Sequence, residues 1–353
     1  MEGNQKTRIQ KFMGGNKKGY QTAFHMAWPA VMESFFIALA GMVDSLMVSS
    51  MGPEAVAAVG LTTQPKFIGL CIFIATNVSV SALVARRRGE KDQYGANQVL
   101  LMAAAFTLAV GTLISMACVF FADPIIRLCG ANEDTQAGAV RYFQIIMGGM
   151  MFNIISMAIN AAQRGAGNTK IAMRTNVTSN VVNMIGNYLL IQGNLGFPRL
   201  GITGAALATV AAQAASVLLS LAVIRRRTLP FTIGKKNLRF ERRLVGRILA
   251  LGTPIALQDL LVSISFLVIL AIVNSMGVIA SAGVGVAEKL CAFIMLVASA
   301  YMQSMSAFVA QNMGAGKPER AKRALLYGIG TSLMAGVTLF YFSFFHGDAM
   351  AGI

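Results

Sequence analysis

Apolar runs of about twenty residues, the length of a helix that crosses a bilayer, recur from Trp28 to Phe345, broken by polar loops. The chain has 353 residues, of which 56% are hydrophobic and only 12% charged, with a mean hydropathy of +0.63. Soluble domains carry about a quarter charged residues. In lipid every backbone N–H and C=O must be satisfied within the spanning segment, so helices are the expected form. The pattern predicts an all-α, polytopic membrane protein with about nine spans. They fall near 23–49, 56–84, 96–121, 140–163, 172–192, 201–224, 247–275, 280–310 and 323–345.

One stretch returns. Pro29 recurs as Pro254, Met51-Gly52 as Met276-Gly277, Ala57 as Ala282 and Gly60 as Gly285, all 225 positions on. Ser81-Ala82 and Val84-Ala85 recur at the same offset as Ser306-Ala307 and Val309-Ala310. A shared, gapless offset implies a duplicated unit. Six expected spans separate the two starts, so both copies point the same way, as a parallel repeat of six-helix lobes. The expected organisation is a tail (1–22), a first six-helix lobe (23–224), a linker (225–246) and a partial second lobe of three helices (247–353). On this reading the second lobe is incomplete and the chain is C-terminally truncated.

The net charge of +16 follows the loops. Of 30 basic residues, 25 lie in the N-terminal tail and in every second loop, including Arg86–Arg88, Arg164, Lys170 and nine from Arg225 to Arg247. Basic loops stay on the cytoplasmic side, so the excess charge is read as topology with a cytoplasmic N-terminus, and not as a nucleic-acid interface. The first 20 residues lack the apolar core and cleavage site of a signal peptide. Cys71, Cys118, Cys129 and Cys291 have no metal-ligand spacing and are expected as buried free thiols. No HExxH, GxSxG or phosphate loop is present; the Gly-Ala-Gly-Lys at 314–317 is followed by Pro318 where a phosphate loop has Ser or Thr. The chain is therefore expected to be no enzyme, to hold no cofactor and to use no ATP.

Polar side chains inside the spans are costly and tend to mark ion paths. Asp44 lies two-thirds along the first span, and Glu33, eleven residues earlier, shares its face near the basic end. In the fifth span Asn176, Asn180, Asn183 and Asn187 are spaced 4, 3 and 4 apart and form one helical stripe. Such a stripe serves either as hydrogen-bond glue between helices or as amide ligands for a cation or substrate. Asn153, Ser156 and Asn160 make a weaker stripe in the fourth span, and Thr209 adds a hydroxyl in the sixth. In the second copy Gln258 and Asp259 stand opposite Glu33 and Ser34, while Ile269 stands opposite Asp44. Lys66 and Lys289 are expected to snorkel toward the interface.

The chain resembles the multidrug and toxic compound extrusion (MATE) transporters of bacteria. The resemblance rests on GMVDS (Gly41–Ser45) followed by MGPEAVAAVG, on QRGAGNTK (Gln163–Lys170), and on NMIGNYLLIQG (Asn183–Gly193). GITGAALATV (Gly201–Val210) and SAFVAQNMGAGKPERA (Ser306–Ala321) complete it. It implies two six-helix lobes around a cavity, alternating access, and export of organic, often cationic, compounds in exchange for H⁺ or Na⁺ across the plasma membrane. Carried over residue by residue, it gives Asp44, Asn183, Asn187, Thr209 and Asn153 as ion-coupling and substrate-binding residues. A Na⁺ site would use Asp44, Asn183, Asn187 and Thr209. Some relatives have Asp where this chain has Asn187, which removes one negative charge from that site. Glu33, Asn180, Gln258 and Asp259 are further candidates. The expected partners are a small organic cation and membrane lipid, with the protein a monomer and no nucleic acid bound. Two alternatives stay open: a lipid-linked oligosaccharide flippase of the same wider superfamily, and an inactive truncated chain.

Overall fold

The computed structural model describes residues 17–226, 241–275, 295 and 298–345. All regular structure among these residues is helical. The helices are α1 (Lys17–Ser49), α2 (Pro53–Leu61), α3 (Thr63–Gly89), α4 (Gln93–Phe120), α5 (Ala122–Leu128) and α6 (Glu133–Gly148). They continue as α7 (Met150–Gly165), α8 (Thr169–Gln192), α9 (Ile202–Arg226), α10 (Arg242–Ser275) and, after a helical stretch at 298–314, α11 (Pro318–Phe345).

Local chemistry sets the helix ends. The Asp92 side chain accepts the Gly95 N–H at 2.8 Å and caps α4, satisfying one of the first-turn donors that have no intrahelical partner. Gly193 ends α8 in the left-handed conformation, at φ 75°. A Cβ there would also lie 2.8 Å from the Phe197 carbonyl oxygen, so the turn demands glycine. Pro29 and Pro254 lie inside α1 and α10, the opening helices of the two copies. Each removes one backbone hydrogen bond from its helix.

The helices meet where side chains are small. A Cβ on Gly165 of α7 would fall 2.3 Å from the Ser81 oxygen of α3, and one on Gly204 of α9 would fall 2.5 Å from the Leu190 oxygen of α8. Such near-backbone contact is how helices associate in lipid, where burying apolar surface gives little driving force. α8 packs along both α9 and α1, and α3 lies against α7 and α10. Three buried apolar clusters result. One joins α3, α4, α7 and α10 around Val80, Val99, Ala162 and Ile248. A second, around Phe73, Phe143, Met147 and Ile154, joins α3, α6 and α7. The third, around Val48, Tyr142, Ile191 and Ala206, joins α1, α6, α8 and α9.

The outer faces are apolar and unburied: Leu46, Leu113, Phe120, Leu218, Met334 and Phe344 are all well exposed. Apolar surface on this scale is a lipid-facing surface, since soluble monomers rarely expose large apolar patches.

The expectation of nine spans is corrected. Six described helices are long and apolar enough to cross a bilayer, and a seventh is counted if α6 and α7, bent by 45° at Gly149, form one span. The expected span at 172–192 is helical as α8, but its asparagines make it too polar to qualify by composition. Most of the expected span at 280–310 lies outside the described residues. Of the cysteines, Cys129 is exposed and Cys71 and Cys118 are partly exposed, so the expectation of buried thiols fails for these three. Cys291, like Lys289, lies outside the described residues.

Candidate functional site

α1 and α8 run side by side, and each carries polar groups three helical turns apart. Asp44 and Asn187 form one rung between them, and Glu33 and Asn176 form another. In both rungs the asparagine amide donates to the carboxylate, and in both the partners are 143 positions apart in sequence. Eleven residues separate the rungs on each helix, a rise of about 16 Å. The equal offset means that α1 and α8 run in the same direction, in register.

The first rung extends toward α9. Asn187 is fully buried, and its Nδ2 also lies 3.4 Å from Asn183 Oδ1. Asn183 Nδ2 donates to Thr209 Oγ1 at 3.1 Å, and the Thr209 hydroxyl donates back to the Ala205 carbonyl at 2.9 Å. Asp44, Asn187, Asn183 and Thr209 are thus one hydrogen-bonded group. Asn187 Oδ1 is buried without a partner. The set offers carboxylate, amide and hydroxyl oxygens, the donor types that hard monovalent cations and protons take. Lys66 of α3, expected to snorkel, is only partly exposed and lies within electrostatic reach of Asp44 without forming an ion pair with it.

The second rung is a cavity. Glu33 is 6% exposed, and its Oε1 accepts Arg164 Nη1 of α7 at 3.2 Å as well as the Asn176 amide. Arg164, counted from sequence as a loop charge, turns inward and neutralises Glu33. Asn160 of α7 donates to Asn176 Oδ1 at 2.8 Å. The cavity beside this network measures about 330 Å³ and includes Asn153, Ser156, Asn180, Gln213 and, from the second copy, Gln303. Asn153 and Asn180 thus sit with Glu33 and not with Asp44. Asn160 is the residue of that stripe that enters the hydrogen-bond network. Its Oδ1 is buried and unpartnered, as is Asn180 Nδ2.

The second-copy candidates join neither rung. Gln258 is exposed on α10 and Asp259 is half-buried there. Among the described residues, no group of three or more His, Cys, Asp or Glu could hold a metal ion.

Relatives share this sequence and fold. The probable multidrug resistance protein YoeA of Bacillus subtilis is 29% identical over 292 residues, covering 82% of this chain and 63% of its own length. A protein described as an FAD transporter, from Shewanella oneidensis, is 29% identical over 310 residues, covering 86% of this chain and 68% of its own. The chain therefore spans less than two thirds of the length of YoeA. A crystal structure of MATE in complex with MaD5 superposes with a TM-score of 0.85 at 24% identity, over 94% of this chain and 75% of that one. An outward-facing MATE family transporter of the MOP superfamily gives 0.82 at 23% identity, over 95% and 76%. These two likenesses are of fold. The MatE family model matches residues 29–189 and 254–353, which together make up most of the chain and include both opening helices of the repeat. With that match the chain belongs to the MatE family.

Proposed function

We propose that this chain belongs to a secondary active exporter of small organic cations, driven by exchange for H⁺ or Na⁺ through alternating access. The observation that carries the reading is Asp44, a carboxylate inside a membrane helix, held by Asn187 and linked through Asn183 to Thr209. Charge at this depth is expensive, so the group has two stable conditions: carboxylate with a cation at hand, or carboxylate neutralised by a proton. A coupling ion that arrives from outside occupies Asp44, weakens the hold on a cationic substrate and releases it outward. Emptying of Asp44 toward the cytoplasm lets substrate return. Coupling requires only that ion and substrate favour different conformations.

The same reading takes the two copies as parallel lobes, with the boundaries 23–224 and 247–353. Support comes from the 225-residue offset and from contacts at matching positions of the two copies. The N-terminus is read as cytoplasmic from the basic loops, and the protein as a monomer in a bacterial plasma membrane. The flippase alternative needs uncompensated basic charge in the cavity to meet a diphosphate. Arg164, the basic side chain that lines the cavity, is matched by Glu33, which disfavours it.

The test is efflux of ethidium from vesicles under an imposed pH gradient and, separately, an imposed Na⁺ gradient. Efflux under one gradient that disappears in Asp44→Asn supports the reading and names the ion. Efflux unaffected by Asp44→Asn refutes it.

A further inference from the structure

Arg164 stands between two cavities. On one side is the cavity of about 330 Å³ beside Glu33. On the other is a smaller one of about 90 Å³, lined by Asn77, Ser81, Gln303 and Ser306. Ser81 and Ser306 occupy matching positions of the repeat, so this second cavity lies on the seam between the copies. Arg164, Met157 and Gln303 line both cavities. Asn77, 6% exposed, has neither amide atom partnered, so polar groups continue past Arg164 toward the seam.

We infer that Glu33 is a second exchangeable cation site, at the basic end of the first copy, which Arg164 occupies from within the chain in this conformation and an external organic cation occupies when Arg164 withdraws. The inference rests on the exporter reading for its biological use, but its chemistry stands on geometry. A carboxylate buried in a membrane helix cannot stand without a countercharge. Arg164 is held at the carboxylate through a single recorded hydrogen bond at 3.2 Å, while the Asn176 amide holds the carboxylate in place independently. The adjoining cavity is within the size range of small-ligand pockets. Asn160 and Asn180 line it, and Asn160 Oδ1 and Asn180 Nδ2 are buried without a hydrogen-bond partner. A ligand that places a cationic nitrogen at Glu33 and draws these two amides toward itself would satisfy all three. Substitution of a ligand cation for Arg164 would open the partition between the cavities, because the guanidinium that leaves Glu33 forms part of the wall they share, with Met157 and Gln303.

The test is chemical rescue, read by thermal unfolding of the purified protein in detergent. Arg164→Ala leaves Glu33 without its cation and makes room for a replacement. Millimolar methylguanidinium or ethidium should raise the Tm of Arg164→Ala by at least about 3 °C, since a ligand that binds only the folded state stabilises it. The rise should vanish when Glu33→Gln is added, and wild type should show little of it with methylguanidinium. No rise, or a rise that survives Glu33→Gln, overturns the inference. Should Arg164→Ala not fold, carbodiimide labelling of Glu33 in the wild-type protein, followed by mass spectrometry, decides instead. Slower labelling in ethidium supports the site and unchanged labelling overturns it. Failure here leaves the exporter reading intact, because that reading is judged by gradient-driven efflux and its loss in Asp44→Asn.

Discussion

Gly89 and Gly314 hold matching positions in the two copies, and each makes room for the backbone of the other copy's helix. A Cβ on Gly89 would fall 2.0 Å from the Gln311 carbonyl oxygen, and a Cβ on Gly314 would fall 2.1 Å from the Arg86 carbonyl oxygen. Arg86 and Gln311 are also matching positions, 225 residues apart. The contact is therefore reciprocal, as a two-fold relation between the copies requires, and it closes the basic end of the seam. Substituting either glycine by valine should force the helices apart. We expect a loss of about 1–3 kcal/mol, the usual cost of overpacking, measured by thermal or denaturant unfolding in detergent. Gly330→Ala, where a Cβ meets nothing within 4 Å, should cost nothing. Equal behaviour of the three variants would show that this approach is not tight.

The Asp44 rung predicts a graded series in ethidium efflux. Asp44→Asn should reduce coupled efflux to background. Asn187→Ala removes the amide that holds the carboxylate and should cost about tenfold, the effect of one hydrogen bond to a charged group. Thr209→Val should cost less, because Thr209 reaches the acid only through Asn183 and Asn187. Transport rates measured at matched membrane expression check the order; a larger loss from Thr209→Val than from Asn187→Ala would contradict it.

Lys66 bears on ion choice. Its charge lies within electrostatic reach of Asp44. Lys66→Gln should strengthen binding of monovalent cations at Asp44 by roughly tenfold, the scale of one partly screened charge pair inside a protein. Radiolabelled Na⁺ binding to the purified protein, with Asp44→Asn as the blank, measures it. No change in affinity would mean that Lys66 is too far away to matter.

Asp92 caps α4 and also meets Arg87 at 3.1 Å. Asp92→Ala should destabilise the protein by about 1 kcal/mol, almost all from the lost cap, since exposed ion pairs contribute little. Asp92→Asn keeps a capping oxygen and should recover most of the loss, as read by unfolding in detergent.

Sequence periodicity alone decided the class of the fold and much of the Asp44 rung. Apolar runs of bilayer length allow only helices, and a spacing of 4, 3 and 4 places four asparagines on one face whatever surrounds them. The family resemblance then grouped Asp44, Asn183, Asn187 and Thr209, and the structure joins them in one hydrogen-bonded chain. What tertiary packing decided is which distant helix each polar face meets. Arg164 lies 131 positions from Glu33, and only tertiary packing brings its side chain to the α1 carboxylate and turns it from a loop charge into a buried counterion. The same packing makes Asn160, not Asn153, the partner of Asn176. It also explains why α8 is helical where composition alone disqualifies it as a span: Asn176, Asn183 and Asn187 find hydrogen-bond partners on α1, α7 and α9 and do not face lipid. Helical periodicity is a local property of neighbouring residues, whereas a countercharge is supplied across an interface that no local pattern records.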